Sequence, residues 1–184
     1  MSQPSDPALH SPGLSPKVTR AVLVLVALAA AAALFWPRSP SSTVSGPGGM
    51  LVDTGGRPVP LSRDLRAATL VHFWASWCAP CVQEMPEIQR FARAVQSPSF
   101  NVVFVAVADE PEAAKRFFDA PDLTLLFDPT WDVAHRFGTD QIPESHLVVG
   151  GKIVKSFIGA TAWNDPAVRN ALQKWTAMPP RPSP

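Results

Sequence analysis

Apolar residues run continuously in some stretches of this chain and recur every three or four positions in others, and the switches between the two patterns lay out a fold. Residues 69–74 (TLVHFW) are apolar or β-branched apart from His72, the composition of a strand buried on both faces. Residues 100–108 have the same character, and strands are expected at 123–127 and 145–149 as well. Between them the period changes. Val82, Met85, Ile88, Phe91 and Val95 recur at helical spacing, with Pro86 predicting a kink that leaves the apolar stripe intact. Shorter helices are expected near 111–118 and 131–137, and a last one over about 165–175. Two hairpins bracket the alternation. Residues 50–61 (MLVDTGGRPVPL) turn at Gly55-Gly56, with Pro58 and Pro60 confining them to a sheet edge, and 145–149 meets 152–157 at Gly150-Gly151. This order predicts an α/β fold with a central mixed β-sheet flanked by helices.

Upstream the pattern is different. Residues 21–36 (AVLVLVALAAAAALFW) carry no charge, and a helix of that length spans roughly 24 Å at ~1.5 Å per residue. Val18 and Thr19 can extend it toward the ~30 Å bilayer core, and Arg20 can snorkel to the headgroups. Lys17 and Arg20 precede the run while only Arg38 follows closely, so the positive-inside bias places the N-terminus in the cytoplasm. The expected organisation is a cytoplasmic segment at 1–20, a single transmembrane signal anchor at 21–36, a flexible Pro/Ser/Gly-rich linker at 37–49, one folded domain at 50–178 and a Pro-rich tail at 179–184. A cleaved signal peptide is the alternative, disfavoured by the twenty residues ahead of the run and by Leu34-Phe35-Trp36 at its end.

Charge excludes one class of function. The formal net charge is +1, but the folded segment holds 12 basic against 14 acidic residues. A nucleic-acid binder concentrates positive charge on its folded part, so no nucleic-acid partner is expected.

The chemistry sits in Trp74 to Glu84, WASWCAPCVQE, which contains both cysteines of the 184 residues. Cys78 and Cys81 fall where the buried strand ends and the long helix begins. Three-residue spacing on a first helical turn brings their Cβ atoms to roughly 5 Å, so small rotations close or open a disulfide. The loop so closed is too short to stabilise the fold much, which disfavours a purely structural bridge. Pro80 suits the first turn, where its missing N–H would have no partner anyway. The helix N-terminus favours an anion at the Cys78 sulfur, making Cys78 the nucleophile and Cys81 the resolving thiol. A structural zinc site would need two more ligands; the candidates are His10, which precedes the apolar run, His72, His135 and His146, and with no second Cys-x-x-Cys no metal and no cofactor is expected.

With WCAPC, the following Val82-Gln83-Glu84-Met85-Pro86, the stretch DPTWDVAHRFG, the IPES turn, the closing GGKIVKSFIGA and an N-terminal anchor, the chain resembles the TlpA/ResA/CcmG (DsbE)-like thiol:disulfide oxidoreductases of the thioredoxin fold over about residues 50–175. The resemblance implies a thioredoxin-like fold with an N-terminal β-hairpin extension, tethered on the outer face of the bacterial cytoplasmic membrane, with its domain on the periplasmic or extracytoplasmic side. It implies that Pro143 is a cis-proline beside the cysteine pair, that the backbone of Ile142 pairs with a substrate chain, that Trp77 lies beside the nucleophile, and that Glu84 is an acidic residue held near the thiols. Implied partners are extracytoplasmic protein disulfides, such as apocytochrome c cysteines or copper-assembly proteins, and a membrane electron donor of the CcdA/DsbD type.

Three positions depart from the family pattern. His72 stands where thioredoxins place a buried Asp, Gln141 where relatives usually have Gly, and His146 where they usually have an aromatic or apolar residue. His72 is expected to be a buried, uncharged base able to take the Cys81 proton, with a structural histidine as the competing reading. His135 is expected to be structural. A Cu(I)-binding chaperone using the Cys78 and Cys81 thiolates, with His146 as an optional further ligand, is the alternative function, since soft sulfur ligands select Cu(I).

Overall fold

The computed structural model describes residues 49–177. The expected cytoplasmic segment, the apolar anchor, nearly all of the linker and the Pro-rich tail lie outside the described residues. Among the described residues no helix is long and apolar enough to cross a membrane.

Seven strands, β1 (Met50–Asp53), β2 (Pro58–Pro60), β3 (Ala68–Trp74), β4 (Phe100–Val107), β5 (Thr124–Asp128), β6 (Glu144–Val149) and β7 (Lys152–Ile158), form one sheet in the order β2-β1-β5-β4-β3-β6-β7. β3, β4 and β5 are parallel, while β1 joins β5, and β6 joins β3, in the antiparallel sense. The mixed sheet predicted from element order is therefore present, with a terminal hairpin on each side. Every residue of β3 and β4 is buried, which is why those segments read as continuous apolar runs instead of alternating ones. β2 closes one edge with Pro58 and Pro60, residues that cannot donate to a further strand. The β6–β7 hairpin turns on two residues, Gly150 and Gly151, with φ of 57° and 78°, the left-handed pair that a tight two-residue turn requires.

Among the described residues the α-helices are α1 (Ala79–Val95), α2 (Pro111–Lys115), α3 (Asp132–Arg136) and α4 (Pro166–Thr176). Met85, Ile88 and Phe91 of the predicted stripe are buried, and Pro86 lies inside α1 without ending it. Two polar residues, Glu84 and Gln89, are buried on the same helix. β3 sends alternate side chains to opposite faces of the sheet. His72 meets the rings of Phe104 and Trp163, and Phe73 meets Phe137 and His146.

Two expectations need correction. α2 is only five residues long, because its C-terminal turn tightens through Phe117 N–H to Ala114 C=O and the chain must leave the helix ahead of Pro121. α3 is equally short, beginning where the Asp128 carboxylate accepts from the N–H groups of Val133 and Ala134. Its inward face is filled by Val133 and Ala134. His135 is therefore exposed and stacks on Trp131, with ring centroids 5.8 Å apart.

Candidate active site

β3 delivers the WASWC segment to the end of the sheet, and α1 starts immediately after it. Cys78 is the N-cap of α1, in extended conformation, and its sulfur accepts from Cys81 N–H at 3.3 Å. Pro80 occupies the first turn, as its lack of an N–H allows. Cys78 and Cys81 are joined by a disulfide, with an S–S distance of 2.10 Å and Cα atoms 5.3 Å apart. The two sulfurs are not equivalent. Cys78 retains 6% of its accessible surface and Cys81 none, so the residue nearer the helix start is also the one a partner reaches first.

The segment ahead of Cys78 is tied to the end of β4. Ser76 donates its N–H to Asp109 Oδ2 at 2.5 Å and its hydroxyl to Oδ1 at 2.6 Å. The Trp77 indole N–H donates to the Ala108 carbonyl at 3.0 Å, which leaves a ring 58% exposed but fixed in orientation. From the other side comes the loop before β6. Its Ile142–Pro143 peptide is cis, and the Ile142 carbonyl oxygen lies 3.8 Å from Cys78 Sγ. Gly159 N–H donates to the Pro143 carbonyl at 2.9 Å, with Gly159 at a φ of 80°, so β7 pins the loop at its C-terminal end.

Behind the dithiol lies a buried pair. His72 Nδ1 is 2.8 Å from the Ser145 hydroxyl, and Nε2 is 3.5 Å from Glu84 Oε1. Neither Nε2 nor Oε1 has a formed hydrogen bond. Glu84 Oε2 accepts from Thr161 N–H at 2.8 Å. Burial pushes the imidazole down to about 3 and the carboxyl up to about 7. For Glu84, the Thr161 N–H and the Trp163 indole oppose that rise, although the indole nitrogen falls short of a well-formed hydrogen bond. Burial thus disfavours both charged forms, and the contact is not a permanent ion pair. Ser145, Thr161 and Trp163 carried no signal in the sequence, because each reaches Glu84 or His72 from a distant segment.

The opposite face of β6 carries a second buried group. His146 Nε2 lies 2.7 Å from the Thr139 hydroxyl and Nδ1 2.8 Å from the Ser156 hydroxyl, with Glu144 Oε1 3.5 Å from Nε2. Both ring nitrogens are engaged, and the ring packs against Phe73 and Phe137. His146 thus has a hydroxyl partner on each ring nitrogen. Among the described residues no group of three or more His, Cys, Asp or Glu is arranged to hold a metal ion.

Of the residues singled out in the sequence, Cys78, Cys81, Trp77, Ile142 and Pro143 gather at one end of the sheet, with Glu84 one helical turn beyond Cys81 and His72 against it. A family model described as Redoxin matches residues 38–172. The chain belongs to the redoxin family. This redoxin is 32% identical over 114 residues to sporulation thiol-disulfide oxidoreductase A of Bacillus subtilis, covering 59% of the chain and 66% of that relative, just under two thirds of its length. It is 26% identical over 157 residues to thiol-disulfide oxidoreductase ResA of Geobacillus thermodenitrificans, covering 80% of the chain and 90% of the relative. Among solved structures, StoA from Bacillus subtilis matches with a TM-score of 0.53 at 27% identity, over 70% of the chain and 95% of StoA. The redoxin thus has the thioredoxin-like fold and the dithiol centre of a thiol:disulfide oxidoreductase, in agreement with the resemblance drawn from WCAPC.

Proposed function

We propose that this redoxin reduces disulfides of client proteins outside the cytoplasm, tethered to the membrane by residues 21–36. The observation that carries the chemistry is the placement of the Cys78 sulfur, at a helix N-terminus and against the Ile142 carbonyl. In the reduced protein, the Cys78 thiolate attacks one sulfur of a client disulfide and the other client sulfur leaves as a thiolate that takes up a proton. Cys81 then loses its proton and attacks Cys78, the second client thiolate leaves, and the protein ends as the Cys78–Cys81 disulfide with two electrons passed to the client. A membrane electron donor of the CcdA/DsbD type restores the dithiol. Apocytochrome c cysteines or copper-assembly thiols are the client class that the family resemblance suggests.

Proton transfer from Cys81 falls to Glu84 in this reading, and His72 positions it. The sequence alone suggested His72 as base, but an imidazole held near 3 is too weak a base to hold a proton at neutral pH. A carboxyl near 7 is matched to that task. When Glu84 is ionised, Nε2–H can donate to Oε1 while the Ser145 hydroxyl donates to Nδ1, and rotation of that hydroxyl serves the other tautomer.

Trapping tests the reading. Cys81→Ala in the full-length, membrane-anchored chain should accumulate mixed disulfides with extracytoplasmic proteins through Cys78, whereas Cys78→Ala should accumulate none. Equal trapping by both variants, or none by Cys81→Ala, would refute it.

A further inference from the structure

The loop that presents the Ile142 carbonyl to Cys78 spans residues 140–143 and is held at both ends. At its C-terminal end Gly159 N–H bonds to Pro143. At its N-terminal end Thr139 is fully buried, its N–H on Ala134 and its hydroxyl on His146. Asp140 and Gln141, between these anchors, are exposed. The position of Ile142 relative to the cysteine is therefore set by how firmly Thr139 and Pro143 are fixed.

We propose that Thr139, His146, Ser156 and Glu144 form a buried polar clasp that fixes this loop in the shape needed to pair with the main chain of a client, making Thr139 and His146 positioning residues for protein disulfides. One arrangement of protons satisfies both ring nitrogens. The Ser156 hydroxyl donates to His146 Nδ1 and Nε2–H donates to the Thr139 hydroxyl oxygen, with Glu144 Oε1 3.5 Å from the same Nε2. The chain of bonds starts on β7, crosses β6 at His146 and reaches back to Thr139, with Glu144, the residue after the cis-proline, against the imidazole. It thus ties β7 and β6 to the base of the loop. The 3% exposure of His146 and its enclosure by Phe73 and Phe137 keep water from substituting for these bonds. Burial also holds the imidazole down to about 4, so the ring stays neutral and the bonding pattern does not change around neutral pH.

A purely packing role for position 146 would be met by an aromatic ring. The hydrogen bonds add directional control of Thr139, seven residues away in the chain and across the loop. A small disulfide needs only the sulfur of Cys78, whereas an extended client also needs the loop. The clasp therefore governs reactions with polypeptides and leaves those with small disulfides alone.

This inference rests on the disulfide-reductase reading, and the experiment separates the two. Reduced protein is mixed with a disulfide-linked peptide and, in parallel, with 5,5′-dithiobis(2-nitrobenzoate), and second-order rates are measured for wild type, His146→Phe, His146→Gln and His146→Asn. His146→Phe should lower the peptide rate about tenfold, the scale of losing one or two buried hydrogen bonds, with the small-disulfide rate and the pH profile of Cys78 alkylation unchanged. His146→Gln, whose amide nitrogen replaces Nε2, should restore the peptide rate. His146→Asn, which replaces only Nδ1, should not. Thr139→Val reports the same bond should His146→Phe fail to fold. Equal loss on both disulfides, no loss on either, or rescue by Asn as well as Gln would overturn the clasp. Wild-type protein inert toward both disulfides would overturn the reductase reading, and the clasp with it.

Discussion

His72 and Glu84 face each other across 3.5 Å in the interior, each with one polar atom that has no formed hydrogen bond, and burial moves them in opposite directions on the pH scale. Glu84, raised from 4.5 to about 7, contributes stability that is fully present below 4.5 and is lost as pH rises to about 7. His72, lowered from 6.5 to about 3, contributes stability that is present above 6.5 and is lost as pH falls toward about 3. Between 4.5 and 6.5 the two slopes oppose one another. Melting curves of the oxidised protein should therefore show Glu84→Gln gaining on wild type as pH rises from 4.5 to 8, while His72→Leu flattens the acid limb. Each group can contribute at most about 1.4 kcal/mol per pH unit. Parallel curves for Glu84→Gln and wild type over that range would show that Glu84 has no raised pKa in the folded state.

The same carboxylate should be felt by the thiols. Glu84 lies one helical turn beyond Cys81, where its negative charge opposes formation of a second anion. In reduced protein, Glu84→Gln should lower the pH of half-maximal iodoacetamide labelling, and Cys78, with its 6% exposure against none for Cys81, should be the sulfur labelled first. An unshifted profile would remove Glu84 from the electrostatics of the pair, and preferential labelling of Cys81 would reverse the assignment of nucleophile and resolving thiol.

Much of this arrangement was legible from local pattern. The continuous apolar run at 69–74 identified a strand with both faces covered, and the spacing from Val82 to Phe91 identified the helix that starts at the cysteines. Two kinds of feature were not legible. Ser145, Thr161, Thr139 and Ser156 are small polar residues in unremarkable contexts, and their roles arise only when strand pairing places Ser145 opposite His72 and Ser156 opposite His146. The exposure of His135 was not legible for a related reason. A periodic pattern on a five-residue helix has too few positions to distinguish its inner face from its flank, and tertiary packing decided the matter in favour of Val133 and Ala134.

Asp109 is another residue that only the fold reveals. Its carboxylate accepts both the N–H and the hydroxyl of Ser76, two residues before the nucleophile, and also the Glu110 N–H at 2.9 Å. Bonds to a charged acceptor are worth about 1.5–3 kcal/mol each when removal leaves a donor unpaired. Asp109→Asn keeps one acceptor oxygen and turns an amide N–H toward a donor, so urea denaturation should show a loss of about 1–3 kcal/mol. Attack by Cys78 on a model disulfide should slow in the same variant, since Trp77 and Cys78 lose their fixed approach. Unchanged stability together with an unchanged rate would reduce Asp109 to a surface residue.

The most discriminating variant is His72→Leu, which keeps an apolar strand residue but removes the group against Glu84. Without the imidazole, Glu84 Oε1 loses the nearby Nε2–H as a donor, so its ionised form is less favoured and its pKa moves further up. Deprotonation of Cys81 then requires a higher pH, whereas attack by Cys78, which depends on the helix N-terminus, does not. In a rapid-quench experiment with a model disulfide, the first step should run at the wild-type rate and the mixed disulfide should accumulate. Positioned proton transfer contributes roughly 10²–10⁴-fold where a general base is removed outright, so loss of a group acting through that base should slow release by at least about tenfold at neutral pH. Raising the pH should restore much of the release rate in His72→Leu, because Glu84 is still present to accept the proton once ionised. Glu84→Gln has no such group, so its release should instead follow the titration of the Cys81 thiol itself. If His72→Leu folds normally and resolves as fast as wild type at every pH, the imidazole does not position the proton acceptor and its burial beside Glu84 is a matter of packing alone.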